Sequence, residues 1–408
     1  MHLNTLSSEH DLLSIFRHLK EHDDTVACIR GFADDWANIL AFDRIEQFQL
    51  TDISQVSSLY EFVERHQEHL LVGSFDYDLG LKLLEIASKF QSDRPLIELY
   101  AYKSYLCEEA GQLYGYNFNQ DDLEALSLSQ LTELTAPDLS WGEEIELNNY
   151  LAGFDTIQDY IRAGDIYQIN YTHQLTGTTP TSGKDIFAYY MTHKPVSHAA
   201  YIAGSDHEVI SLSPEGFIRV DGQKISTQPI KGTRPRGDTN EEDLTLREEL
   251  ITSKKEQAEL FMIVDLLRND LGKVCETGTV RVIDSKIVTA MPNVWHTHAT
   301  IQGQLKDSFG VIDALLSMFP GGSITGCPKH RAMQIIDELE SHSRGIYTGS
   351  IGYILPTGEA SFNIAIRTMV KAGDAFTLGV GGGITIKSEG KDEYDETLAK
   401  AAFFRDSM

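Results

Sequence analysis

A lysine in the segment "QPIKGTRPRG" is the first residue whose surroundings favour chemistry. Lys231 follows a Pro-Ile pair and precedes a Gly-Thr pair at the predicted end of a strand. A hairpin predicted over "EVISLSPEGFIRVDGQKISTQPIKG", with Asp221-Gly222 at its turn, brings Glu215 to the same open end. The two residues form either an ion pair at a sheet edge or an acid beside a nucleophilic amine. The nucleophile requires some free amine at neutral pH, which burial or a neighbouring cation favours.

A glutamate in a predicted helix is the second candidate. Glu259, in "QAELFMIVDLL", precedes an apolar run that leaves little of this helix turn facing water. A carboxylate in such a place needs a partner. The alternatives are a basic side chain, for which Lys255 one turn earlier is a candidate, and a hard metal cation.

Three charged residues of the last predicted helix share one face. Glu393, Glu396 and Lys400 are spaced i, i+3 and i+7. Charged side chains on one helix face are usually exposed to solvent and bind nothing. Here the helix follows the glycine-rich "GVGGGITIKSEG", so its first turns border a loop. Two glutamates and a lysine in this place suit Mg²⁺ that bridges to an anionic substrate, because Mg²⁺ takes one or two protein carboxylates.

Two glycine-rich segments favour an anion site and argue against a nucleotide-binding motif. In "GGSITGCPK", Cys327 and Pro328 stand where a P-loop needs Lys and Ser or Thr, and "GVGGGI" lacks dinucleotide-binding spacing. The helix predicted after Gly326 still offers backbone N–H groups to an anion. Together with Arg367 of "NIAIRT" and Lys400, it is predicted to hold a small dicarboxylate.

These residues require a mixed α/β (α+β) framework to bring them together. We interpret residues 1–140 as an N-terminal subdomain of the same fold and residues 141–408 as the catalytic domain, connected by the polar segment 117–144. In the second part we predict one long helix over "REELITSKKEQAELFMIVDLLRND" and one strand over "SFNIAIRTMVK". Several links of hairpin length favour antiparallel or mixed sheets.

Composition excludes several classes of partner and compartment. Lys and Arg total 34 against 61 Asp and Glu, a formal charge of −27, so neither nucleic acid nor a membrane surface is expected as a partner. The four cysteines form no CxxC pair and fit a reducing compartment. No signal-peptide pattern and no run of about 18 apolar residues occurs. We expect a cytoplasmic protein.

Seven segments together resemble the chorismate-utilising enzymes, which include anthranilate, aminodeoxychorismate, isochorismate and salicylate synthases. The segments are "SLSPE", "PIKGTRPRG", "MIVDLLRNDLG", "FPGGSITGCPKHRAM", "RGIYTGSIGYI", "IAIRT" and "GVGGGI", followed by "EYDETLAKA". In the first 150 residues only "GSFDYDLG" shares the resemblance. It implies an anthranilate-synthase-like fold, in which two packed, mainly antiparallel sheets have helices outside and the active site between them.

The resemblance also implies a role for each site residue. It implies Mg²⁺ ligands at Glu259, Glu396 and Glu393, and Glu215 as the general acid at the C4 hydroxyl of chorismate. It places His296, in "VWHTHA", against the substrate ring. The substrate-binding residues are expected to be Arg367, Lys400, Tyr347, Gly381, Gly382, Gly383, Gly326 and Gln168. Gln168 stands where isochorismate and salicylate synthases carry a lysine base, so water activation at C2 is not expected.

Lys231 indicates one subfamily. Anthranilate, isochorismate and salicylate synthases resemble one another in carrying Ala at this position. A sequence with lysine here is similar to aminodeoxychorismate synthase component I. The implied reaction adds Lys231 at C2 of chorismate and ammonia at C4, giving 4-amino-4-deoxychorismate for p-aminobenzoate and folate synthesis. The sequence contains no G-x-C-x-G nucleophile segment, so ammonia is expected from a separate glutaminase subunit or, less effectively, from free ammonium.

Departures from the family pattern leave alternatives open. Gln174, in "QINYTHQL", replaces an Arg, and Ala299 replaces a common Ser. No "LLES"-like segment occurs, so feedback control by tryptophan is not expected. The alternatives are anthranilate synthase component I, a non-catalytic chorismate-binding subunit, and a pyridoxal phosphate enzyme with Lys231 as its Schiff-base lysine. The lack of a phosphate-binding motif beside Lys231 argues against the last.

Overall fold

The computed structural model describes residues 3–8, 11–19, 26–31, 33, 36–92, 94–125, 134–143, 145–291 and 294–405. The helices are α1 (Leu12–His18), α2 (Ser57–Arg65), α3 (Tyr77–Leu83), α4 (Gln120–Ala125), α5 (Leu147–Ala163), α6 (Gly183–His193), α7 (Asn240–Thr252), α8 (Lys254–Val274), α9 (Val311–Met318), α10 (Lys329–Leu339) and α11 (Gly390–Arg405). The strands are β1 (Leu3–Leu6), β2 (Ala27–Arg30), β3 (Asn38–Leu50), β4 (Leu70–Phe75), β5 (Ile97–Glu109), β6 (Gln112–Tyr116), β7 (Ser140–Trp141), β8 (Gln168–Thr178), β9 (His198–Ala203), β10 (Glu208–Ser213), β11 (Gly216–Asp221), β12 (Lys224–Thr227), β13 (Ile230–Pro235), β14 (Arg281–Ala290), β15 (Val294–Gln304), β16 (Gly326–Cys327), β17 (Ser350–Ile354), β18 (Ala360–Asn363), β19 (Thr368–Ala372) and β20 (Ala375–Thr385).

The strands form two arms that meet at β5. The first arm continues from β5 through β3, β2, β9, β10, β19 and β20 to β8. The second continues through β4, β17, β18, β11 and β12 to β15, which also pairs with β13 and β14. Ile39 and Ala41 of the first arm share a core with Val72 and Ile351 of the second. Every named strand pair in the described chain is antiparallel, which confirms the predicted sheet type.

The hairpin predicted before Lys231 is present, with its turn one residue later than expected. Strands β11 and β12 pair Asp221 with Lys224, so Gly222 and Gln223 form the two-residue turn. Gly222 has φ 56°, a left-handed conformation that this type of hairpin turn requires and that glycine adopts without strain. The hairpin lies before Lys231 as predicted, but it is shorter than expected, because Glu208–Ser213 form β10, which pairs with β9 and β19 instead.

Two elements that were predicted as continuous are interrupted in the structure. The predicted long helix is divided into α7 and α8, because Ser253 adopts an extended conformation with ψ 110° and caps α8 through the Glu256 amide. The strand predicted over residues 361–371 is divided into β18 and β19, and Arg367 in the interruption has φ 49°. Both predictions of continuity were wrong, because side-chain capping and tertiary contacts overrode the apolar pattern.

Strands from the first 140 residues pair directly with strands from the remainder of the chain. β2 pairs with β9, and β4 pairs with β17. Within the polar segment predicted as a connection, residues 126–133 and 144 lie outside the described residues. No helix in the described part of the chain is both long enough and apolar enough to span a membrane.

Candidate active site

A cavity of about 720 Å³ lies between the two arms. The second arm contributes residues from β13 and β15 and from the turn before β11, while the first arm contributes residues from β8 and β20. Helices α8 and α11 contribute charged side chains. The predicted site residues that line the cavity are Gln168, Glu215, Lys231, Glu259, His296, Tyr347, Arg367, Gly381, Gly383, Glu393, Glu396 and Lys400.

Glu215 and Lys231 occupy one wall of this cavity. Glu215 is only 7% exposed, and burial raises its pKa above the usual glutamate range, although the Lys231 charge and a hydrogen bond from Ser323 act in the opposite direction. The Lys231 side chain has neither a hydrogen bond nor an ion pair with any described residue. The wall therefore presents a carboxyl group that retains its proton more readily than usual beside an unpaired amine.

His296 projects from β15 and is held by Thr233 of β13. The His296 Nδ1 and Thr233 Oγ1 atoms are 3.0 Å apart and form a hydrogen bond. Burial, together with the charge of Arg367 and the neighbouring His298, lowers the pKa of His296 to about 4. The imidazole is therefore neutral at physiological pH and suited to contact an uncharged ring. Thr233 was not predicted as a site residue, although its place two residues after Lys231 on the same strand was a usable signal.

Arg367 enters the cavity from the interruption between β18 and β19. Its guanidinium has no carboxylate partner among the described residues, and burial lowers its pKa to about 10. The guanidinium carbon lies 4.8 Å from the ring centroid of Phe403 on α11. An arginine that lines a cavity without an internal counter-ion is suited to bind an anionic ligand.

The Tyr347 ring packs closely against the backbone of β20 at Gly379. A β-carbon at Gly379 would lie 2.2 Å from the Tyr347 ring, so only glycine permits this approach. Both residues line the cavity, but only Tyr347 and the later glycines were predicted as site residues. Gln174, one of the two departures from the family pattern, lies opposite Gly379 in the β8–β20 pairing. Ala299, the other departure, is buried in the hydrophobic core.

The predicted charged face of α11 is directed at the cavity. Lys400 forms an ion pair of 2.7 Å with Glu396 and donates a 2.7 Å hydrogen bond to the Gly381 carbonyl. Burial and the negative charge of Glu396 raise the pKa of Glu393, against the effects of Ser388 and two lysines. Burial would also raise the pKa of Glu396, but the charges of nearby lysines, first of all Lys400, hold it below its usual value.

Glu259 faces the same cavity from α8 and does not pair with Lys255. The charge of Lys255 acts on Glu393 and Glu396 instead. Three carboxylates lining one cavity offer the hard oxygen donors that Mg²⁺ prefers. Within the described residues, however, no three His, Cys, Asp or Glu side chains form a metal-binding group. The donors thus fit an ion held by one or two carboxylates.

Two of the predicted glycines lie beside the cavity without lining it. Gly382 approaches α11 closely, since a β-carbon there would be 3.3 Å from Glu393 Oε2. Gly326 pairs with Ile169 of β8, and α10 begins only at Lys329. The cavity is lined instead by Ser323 of the preceding turn, which was not predicted as a site residue.

Comparison with known proteins identifies the family to which this arrangement belongs. Residues 23–406 match the family model described as chorismate binding enzyme. The chain belongs to the chorismate-binding enzyme family. The fold and the family predicted from the sequence are both confirmed.

Relatives within the family carry two different names. An anthranilate synthase component 1 of Haloarcula marismortui is 44% identical over 245 residues, which cover 60% of this chain and 49% of that protein. The chain thus spans about half the length of this relative. The aminodeoxychorismate synthase component 1 of Escherichia coli is 33% identical over 362 residues, covering 85% and 80% of the two chains. The crystal structure of anthranilate synthase component I from Streptococcus pneumoniae superimposes with a TM-score of 0.80 at 26% identity, covering 90% of this chain and 92% of that one.

Proposed function

We propose that the chain aminates chorismate at C4 to give 4-amino-4-deoxychorismate, with Lys231 as a covalent nucleophile. The observation that carries the proposal is the position of Lys231, which lines the cavity without a polar partner among the described residues and lies beside buried Glu215. A surface ion pair, the alternative interpretation of this lysine, would leave the carboxyl exposed and ionised.

The two groups perform complementary halves of one substitution. The Lys231 amine adds at C2 while Glu215 transfers a proton to the C4 hydroxyl, which leaves as water as the ring double bonds shift. Ammonia then adds at C4, the double bonds shift back, and the C2–nitrogen bond to the lysine breaks. The new ammonium group returns one proton to the Glu215 carboxylate, so that chorismate and ammonia give the product and water.

The remaining side chains bind and orient chorismate. Arg367 and Lys400 supply positive charge to the two substrate carboxylates, assisted by the Tyr347 hydroxyl and the backbone at residues 381–383. Neutral His296 lies against the ring. Gln168 contributes a polar contact, and the turn that ends at Gly326 supplies Ser323 to Glu215. Mg²⁺ held by one or two of the carboxylates of Glu393, Glu396 and Glu259 would supply positive charge for a substrate carboxylate.

Ammonia comes from a partner under this proposal. Several relatives that resemble this chain are named as component 1 of a synthase, and a glutaminase subunit is the second component that such a reaction requires. The heterodimer would act in the cytoplasm, in synthesis of p-aminobenzoate and folate. Neither nucleic acid nor a membrane takes part.

Anthranilate synthesis is the second candidate function. The observation that favours it is the 44% identity to an anthranilate synthase component 1 of Haloarcula marismortui. Amination at C2 with loss of pyruvate would need no covalent lysine, so the unpaired Lys231 amine would then have no chemical role.

Product analysis distinguishes the two functions. The purified chain is incubated with chorismate, Mg²⁺ and ammonium, with and without an added aminodeoxychorismate lyase, and the products are identified by mass spectrometry. Aminodeoxychorismate alone, converted to p-aminobenzoate when the lyase is present, supports the proposal. Anthranilate and pyruvate as products would replace it by the second candidate, and no Mg²⁺-dependent loss of chorismate would indicate a non-catalytic subunit.

A further inference from the structure

Arg367 lacks the contacts that normally fix an arginine side chain. No described residue forms an ion pair or hydrogen bond with its guanidinium, and its backbone lies in a short interruption between two strands with φ 49°. A free arginine side chain has high conformational entropy, and ordering it when a ligand binds reduces the affinity. A site that uses this residue therefore benefits from a contact that orients it beforehand.

The aromatic ring of Phe403 provides that contact. The Arg367 guanidinium carbon lies 4.8 Å from the centroid of the Phe403 ring, within the range of a cation–π interaction. Stacking occupies a face of the guanidinium plane and leaves the N–H groups along its edge free. Those N–H groups are the ones that bind a carboxylate with two parallel hydrogen bonds.

Phe403 is itself fixed by α6. Its ring stacks on Tyr190 at a centroid distance of 5.7 Å and an interplanar angle of 30°. Lys194 Nζ lies 5.5 Å from the ring centroid and donates a 3.1 Å hydrogen bond to the Phe403 carbonyl. Phe403 does not line the cavity, so it reaches the substrate only through Arg367.

We propose that Phe403 is a positioning residue that holds the Arg367 guanidinium ready for a substrate carboxylate. The inference rests on the carboxylate-binding role assigned to Arg367 in the proposed function. It does not depend on which carbon of chorismate is aminated, because either reaction must hold the same carboxylates.

Steady-state kinetics of Phe403→Leu provide the test, with chorismate disappearance as the signal so that product identity does not enter. We expect KM for chorismate to rise on the order of tenfold while kcat changes less than about twofold, the pattern for a contact that acts on binding. Phe403→Tyr retains the aromatic face and should restore the original KM. The matched control is Phe187→Leu, which removes a buried ring of α6 that packs on Phe16 and Tyr201.

A double-mutant cycle separates positioning from general damage to α11. In an Arg367→Ala background, Phe403→Leu should not raise KM further if Phe403 acts through Arg367. If Phe403→Leu instead displaces α11, it should still affect Lys400 and Glu396 in that background and lower kcat. If Phe403→Leu does not fold, Phe403→Met replaces it in the same cycle. An unchanged KM in Phe403→Leu, or an equal rise of KM in Phe187→Leu, would overturn the proposal. A product other than aminodeoxychorismate would overturn the proposed function and leave this test intact.

Discussion

Lys231 acts electrostatically on the buried carboxyl group of Glu215, and both residues face one cavity. Burial raises the pKa of the Glu215 carboxyl group, and the charge of Lys231 partly offsets that effect. An acid and an amine with these properties can serve two positions of one substrate ring at the same time.

Replacing Lys231 by Ala should lower kcat for amination by about 10²–10⁴-fold, because the covalent step would be lost. Binding of chorismate should change much less, since other residues hold its carboxylates. The measurement is turnover with saturating ammonium, and Lys224→Ala, an exposed lysine in the same hairpin, is the control. Mass spectrometry of the protein with chorismate and no ammonium should show an adduct that Lys231→Ala lacks. Retention of most of the wild-type kcat would rule out the covalent role.

The pH dependence of turnover should report on Glu215. The carboxyl group must be protonated to act as an acid, so kcat should fall as pH rises through its pKa, which burial places above the usual glutamate range. Glu215→Gln should lose most activity together with this limb of the profile. The raised pKa also means that ionised Glu215 is less stable in the folded protein than in the unfolded chain. The free energy of unfolding of the wild type should therefore decrease, relative to Glu215→Gln, as pH rises. The decrease should extend from the pKa of the unfolded state through the pKa of the folded state. Parallel pH profiles of unfolding for the two proteins would contradict this.

The carboxylates of α11 should determine the metal requirement. Glu396→Gln removes a charge that lies beside Lys400 and Glu393, and the Mg²⁺ concentration for half-maximal activity should rise about tenfold or more. The control is Glu389→Gln, which changes an exposed glutamate just before the helix. Titration of activity with Mg²⁺ gives the comparison. An equal Mg²⁺ requirement in both variants would place the ion elsewhere.

Gly379 should tolerate no side chain, because its backbone contacts the Tyr347 ring. A β-carbon at 2.2 Å from that ring must displace either the tyrosine or strand β20, so Gly379→Ala should destabilise the protein by about 1–3 kcal/mol and weaken chorismate binding. Gly272→Ala is the matched control, since a β-carbon there meets no atom within 4 Å and alanine favours the helix by about 1 kcal/mol. Thermal unfolding measures both, and equal Tm values for the two variants would contradict the steric argument.

Local chemistry made much of this protein predictable without its structure. The hairpin follows from the turn preference of Gly222, although the turn itself lies one residue later than predicted. The shared face of Glu393, Glu396 and Lys400 follows from helical periodicity. Each depends on residues only a few positions apart. The family resemblance of the segments after residue 150 predicted the fold, and most of the residues it singled out line one cavity.

The tertiary structure decided the contacts that give those residues their properties. The interruption that turns Arg367 into the cavity, its stacking on Phe403, the Thr233–His296 hydrogen bond and the approach of Tyr347 to β20 each join segments that are separated along the chain. Burial sets the pKa of Glu215, and burial depends on how the two arms pack. Such effects arise from distances between non-local groups and from exclusion of water, which no local sequence pattern specifies.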